Sequence, residues 1–136
     1  MAPSMFALSV AIYNNPGIKH WSLFLETEND ADRTIIHIVG PRQRYFPQII
    51  TPATAPGSNL DFIELHSMCE TDETTVETIK SIAWDTPTRN DESDYSCQDF
   101  VLDVLVRLEH ASVIDATKNG YMSNKATLKA KRESWE

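Results

Sequence analysis

The sequence predicts an α+β protein in which an antiparallel sheet packs against helices. Two features predict it. The first half holds short runs of bulky or alternating apolar residues separated by turn signals, and the second half holds amphipathic stretches at helical spacing. Strands followed by helices is the element order of α+β layering.

Ser4 to Tyr13 (SMFALSVAIY) reads as a strand, closed by the turn signal Asn14-Asn15-Pro16-Gly17. Lys19 to Glu26 (KHWSLFLE) reads as a second strand, whose alternation puts His20, Ser22 and Phe24 on one face and Trp21, Leu23 and Leu25 on the other. Asn29 to Asp32 is a polar turn, and Thr34 to Val39 (TIIHIV) a third strand ended by Gly40-Pro41. The second and third strands form a hairpin that carries one histidine on each arm. A turn centred near Asp30-Ala31 sets His37 opposite Phe24, on the face of His20 but about four residues along it. The tract from 41 to 59 contains four prolines, loop-like but with a short strand at Tyr45 to Thr51. Leu60 to Met68 alternates as a further strand. Thr71 to Trp84 has helical periodicity with acidic residues in its first turn, and Thr86-Pro87 stops it. An acidic loop over 88–95 leads into a helix opened by Cys97. Ser123 caps a last helix over 124–135.

The 136 residues suit one domain, 1–136, with a sizeable core. Apolar content of 41% and charged content of 24% are globular values. A net charge of −8 argues against nucleic acid and anionic membrane surfaces as partners. No run reaches the roughly 18 apolar residues of a membrane span, and the N-terminus lacks the basic flank of a signal peptide. Two cysteines in unlike segments make no disulfide framework, which places the protein in a reducing cytoplasm. Oligomeric state is open.

The chemistry concentrates around Asp94-Tyr95-Ser96-Cys97-Gln98-Asp99-Phe100. Ser96 is an N-cap, and Asp99 three residues on completes a capping box. Phe100, Val101, Val104, Leu105 and Leu108 form the buried stripe. Cys97 therefore occupies the first helical position, where free N–H groups and the positive dipole end favour a thiolate. A neighbouring cation or imidazole at such a position lowers a thiol pKa to about 3.5–7.5. An inert buried thiol is the alternative.

Cysteine nucleophiles need an imidazole within reach and a group that orients it. His20-Trp21-Ser22-Leu23-Phe24, His37-Ile38 and Cys97-Gln98-Asp99-Phe100-Val101 together resemble the lecithin:retinol acyltransferase-like proteins, a circularly permuted NlpC/P60 branch of the papain-like thiol enzymes. In that family a His-Trp-aliphatic run opens a strand, a second His lies on the partner strand, and Asn-Cys-Glu-His-Phe opens a helix. The likeness covers roughly residues 18–108. It implies acyl transfer through a thioester, with Cys97 as nucleophile, His20 as base and His37 as the orienting member. Trp21, Ser96 and Gln98 are the implied substrate-binding neighbours, the Cys97 N–H an oxyanion donor, and no cofactor or metal is implied. Ser96 stands where the family has Asn, Gln98-Asp99 where it has Glu-His, and no hydrophobic tail follows. A soluble ester, amide or thioester is the substrate class that an acidic chain without such a tail suits.

Two other readings keep this fold. The histidines could transfer protons in a cyclase or tailoring enzyme of small-molecule biosynthesis, of the fungal secondary-metabolite type, with the proline-rich tract as a pocket wall. A non-catalytic binding module on a decayed scaffold is the other. His66-x-x-Cys69 has the spacing of a ligand pair, but no second pair accompanies it, so a metal is not expected. Arg89, Lys19, Arg42 and Arg44 are the cations that could offset Glu92, Asp94 and Asp99 near the thiol.

Overall fold

A computed structural model describes residues 4–135. Five strands, β1 (Met5–Tyr13), β2 (His20–Glu26), β3 (Thr34–Val39), β4 (Phe46–Ile50) and β5 (Phe62–Asp72), form one sheet in the order β4-β3-β2-β1-β5. Every neighbouring pair is antiparallel. Three helices, α1 (Val76–Trp84), α2 (Cys97–His110) and α3 (Asn119–Lys129), follow. The α+β class and the antiparallel sheet are as the alternation predicts.

One face of the sheet carries the core. Val10, Ile12, Trp21, Leu23, Leu25, Ile36 and Ile38 project toward the helices and meet Val76, Ile79 and Ala83 of α1 and Phe100, Val101, Val104, Leu105 and Leu108 of α2. The α2 residues recur at helical spacing, so a single stripe seats the helix and fixes where its first residue emerges. On the other face, Tyr13, Ser22 and Phe24 are also buried. Ala53 and Pro56 of the proline-rich tract are buried as well, so the tract is anchored at these two residues while most of it is exposed.

Three expectations are corrected. The stretch after Leu60 stays a strand to Asp72, because Thr71 and Asp72 pair with Phe6 and Met5 at the end of β1. Glu70 to Asp72 are therefore strand residues, and the α-helix begins only at Val76 after a single turn of 3-10 helix over Glu73–Thr75. The last helix runs earlier than predicted, from Asn119 to Lys129, with Lys118 rather than Ser123 at its N-cap. Residues 131–135 then form a strap whose side chains bond to the start of α2. Finally, β2 and β3 pair through Leu23–Ile36, Phe24–Ile35 and Leu25–Thr34. A short 3-10 turn at Asp30–Asp32 lengthens the connection. Phe24 thus opposes Ile35 rather than His37, and one step beyond the Leu23–Ile36 pair sets His37 across from Ser22, two residues closer to His20.

Candidate active site

The start of α2 is built as the sequence indicates. Ser96 Oγ accepts the Gln98 N–H at 3.1 Å, and Asp99 Oδ2 accepts the Ser96 N–H at 2.9 Å. This capping box satisfies two of the orphan donors and holds Cys97 rigidly at the first turn. The strap reinforces it. Arg132 bonds Asp99 at 2.9 Å and Asp94 at 3.2 Å, and Trp135 N–H donates to Asp94. Gln98, fully buried, donates to the Lys19 carbonyl and to Glu133, and its own Oε1 accepts the Glu133 N–H. Gln98 and Glu133 thus tie the mouth of α2 to the residue just before β2.

That tie sets the cysteine beside the strand of His20. The Cys97 S–H donates to the Lys19 carbonyl at 3.7 Å, and the Trp21 backbone N–H is near enough to the sulfur to favour its thiolate. His20 Nε2 and His37 Nδ1 lie 2.9 Å apart, and His37 Nε2 lies 2.8 Å from Gln48 Oε1. Gln48 is the direct cross-strand partner of His37 on β4. An amide oxygen can only accept, so His37 carries its proton on Nε2. His37 Nδ1 must then accept, and His20 carries its proton on Nε2. The series leaves His20 Nδ1 as the unprotonated, basic nitrogen. His20 and Cys97 line one cleft of about 380 Å³, together with Ile18, Arg42, Tyr45 and Trp135. Arg42 stacks over the Trp135 ring at 4.6 Å and bonds the Ser93 carbonyl, which shapes the outer wall.

The electrostatics correct one expectation. Burial raises the Cys97 thiol to about 11, above the ordinary thiol range, and outweighs the lowering by the Trp21 and Gln98 N–H groups. Cys97 is 7% exposed, so its thiolate would lose most of its hydration. Asp99 adds to the rise. Burial likewise pulls His20 down to about 4, helped by the neighbouring His37. His37 is lowered by burial, partly countered by its bond to Gln48. At neutral pH the resting site therefore holds a neutral thiol and two neutral imidazoles, not the thiolate that the helix N-terminus alone suggests.

The remaining predicted residues are placed as follows. Trp21 is in the core, Ser96 is the cap and Gln98 the clamp, and none of the three lines the cleft. Lys19 pairs with Glu133, and Arg89 with Glu92 and Asp103. Arg132 is the cation that faces Asp94 and Asp99. His66 Nε2 lies 3.2 Å from Glu64, and no group of three or more His, Cys, Asp and Glu among the described residues is arranged to hold a metal. No helix among those residues is long and apolar enough to cross a membrane. Sequence reasoning missed Gln48 and the strap. Gln48 was findable only from the β3–β4 register, whereas the strap reads in sequence as the end of a basic helix.

A profile described as "Family of unknown function (DUF6540)" matches residues 8–115. The chain belongs to this family. The matched span takes in β2 to β5 and β1 from Leu8 onward, with His20, His37, Gln48 and Cys97, and stops before α3 and the strap. No curated protein and no solved structure matches the chain.

Proposed function

We propose that this DUF6540 member is a small cysteine-nucleophile acyltransferase or hydrolase with the permuted papain-like (NlpC/P60) arrangement, acting in the cytoplasm on an ester, amide or thioester. One observation carries the reading: His20 is hydrogen-bonded to His37 and lines the same cleft as Cys97. The likeness to the lecithin:retinol acyltransferase-like proteins supports the same roles. Cys97 is the nucleophile, His20 the base, and His37 with Gln48 the pair that holds the His20 tautomer.

Because thiol and imidazole are both neutral at rest, the proton moves during attack. His20 Nδ1 takes the Cys97 proton as the S–C bond to the acyl carbon forms, and the imidazolium shares its Nε2 proton with His37. The tetrahedral oxyanion meets the Cys97 N–H at the positive end of α2. Collapse breaks the bond to the leaving group, which departs with the proton from His20. Water or an amine then attacks the thioester, gives its proton to His20, and the acyl product leaves as Cys97 recovers its proton.

The test is turnover of p-nitrophenyl acetate, an activated acetyl ester. A burst of p-nitrophenol is expected from the native protein and none from Cys97→Ala, with His20→Ala slowing the burst by about 10²–10⁴-fold. Equal rates in all three proteins would remove the acyl-enzyme. A second reading is favoured by the bond of the Cys97 thiol to Lys19 O rather than to a ring. In it the imidazole pair transfers protons within a cyclase or tailoring enzyme, and Cys97→Ala keeps the activity that His20→Ala loses.

A further inference from the structure

On the face of the sheet turned away from the helices, two adjoining hollows of about 350 and 410 Å³ share Tyr13, Ile35, Ile50 and Asn59. Each falls within the usual size of small-ligand pockets, about 300–1,000 Å³. The outer hollow runs under the proline-rich tract and is walled by Pro52, Ala53 and Pro56. The inner hollow ends at His20, His37 and Ser22. His20 also lines the Cys97 cleft, so the two sites share this residue.

The inner end is polar in a specific way. Ser22 is fully buried, and its Oγ has no hydrogen-bond partner among the described residues. The Tyr13 hydroxyl is near enough to interact with it, and a weak contact of that kind leaves donor capacity for a group that arrives from outside. The Tyr13 ring leans against His20 with centroids 6.0 Å apart. Two hydroxyls side by side can both donate to one carbonyl oxygen. Among the described residues no Lys or Arg lines either hollow, and the exposed Asp61 at the inner rim would repel an anion.

We propose that this groove is a second binding site, for a neutral small molecule with an apolar body and one carbonyl group. The carbonyl oxygen accepts from Ser22 and Tyr13, and the body lies between Ile35, Ile50 and the buried side of Ala53 and Pro56. The site stands independently of thiol chemistry at Cys97.

Fluorescence titration with prodan, a neutral naphthyl ketone whose emission moves to the blue when it leaves water, tests this. A saturable one-site shift is expected, unchanged in Cys97→Ala. Tyr13→Phe and Ser22→Ala should each weaken binding roughly fivefold, the worth of one neutral hydrogen bond. The naphthylamine that lacks the ketone should bind correspondingly weaker. Ile50 lies on the edge strand β4 and is 36% exposed, so Ile50→Trp keeps the fold while filling the groove, and it should abolish the shift. No saturable shift, an unchanged shift in Ile50→Trp, or equal binding of the ketone-free analogue overturns the proposal.

Discussion

Replacing His20 by Gln should flatten the acid side of the stability curve. In the folded protein the His20 imidazole is held down to about 4 by burial and by His37. In the unfolded chain it returns to about 6.5. As pH falls the unfolded chain takes up this proton first, so the depressed group contributes stability above pH 6.5 that is lost progressively down to about pH 4. Between pH 7.5 and 4.5 the two pKa values correspond to about 2.5 kcal/mol. With a urea m-value of roughly 1–3 kcal/mol/M, that is a fall in the unfolding midpoint of about 0.8–2.5 M. The carboxylates held below their usual range, among them Glu109 and Glu133, act in the same direction, but chiefly at the lower end of this window and below it. His37 is also lowered and leaves a residual slope in the variant. Urea unfolding by tryptophan fluorescence at half-unit pH steps measures the effect. The comparison rests on slopes, so any constant cost of the substitution cancels. A variant with the native slope from pH 4.5 to 6.5 would refute the claim that His20 is buried neutral against His37.

Further outcomes follow from the same geometry. Because burial raises both Cys97 and Cys69 to about 11, iodoacetamide alkylation of either should climb about tenfold per pH unit from 7 to 9. An inflection near pH 6 at Cys97 would instead reveal a poised thiolate. Gln48→Leu removes the bond that holds the His37 pKa up, so a proton NMR titration should find that imidazole titrating lower than in the native protein. A rise would contradict the acceptor role of Gln48. Arg132→Ala leaves the partly buried Asp99 carboxylate without its cation and should cost about 1 kcal/mol in denaturant unfolding. Gly17 has φ +88°, and a Cβ there would meet the Trp135 ring at 2.8 Å. Gly17→Ala should therefore shift tryptophan emission to the red as Trp135 leaves the cleft, and unchanged emission would contradict the seating of the strap.

Local signals were legible where local physics decides. The Ser96–Asp99 capping box, the buried stripe of α2 and the strand at Thr34–Val39 need only neighbours a few residues away, and the structure has them. Features that depend on distant pairing were not. The register of β2 against β3 turned on how residues 27–33 fold, and a 3-10 turn there moved His37 by two positions. β5 outruns its own alternation because β1 offers a partner as far as Met5. Residues 131–135 have helical composition, yet Asp94, Asp99, Gln98 and Lys19 bind them in a strap. The thiol shows the same limit. Position at a helix N-terminus is visible in sequence, but the degree of burial that reverses its effect on Cys97 is a property of the packed chain.

The central claim is that Cys97 carries an acyl group during turnover, with His20 as its base. Intact-protein mass spectrometry after acid quench of a reaction with p-nitrophenyl acetate tests it most directly. An acetyl adduct that maps to Cys97, and that forms far more slowly in His20→Ala, is the predicted result. An adduct on Cys69, or one on Cys97 that forms at the same rate without the His20 imidazole, would contradict it.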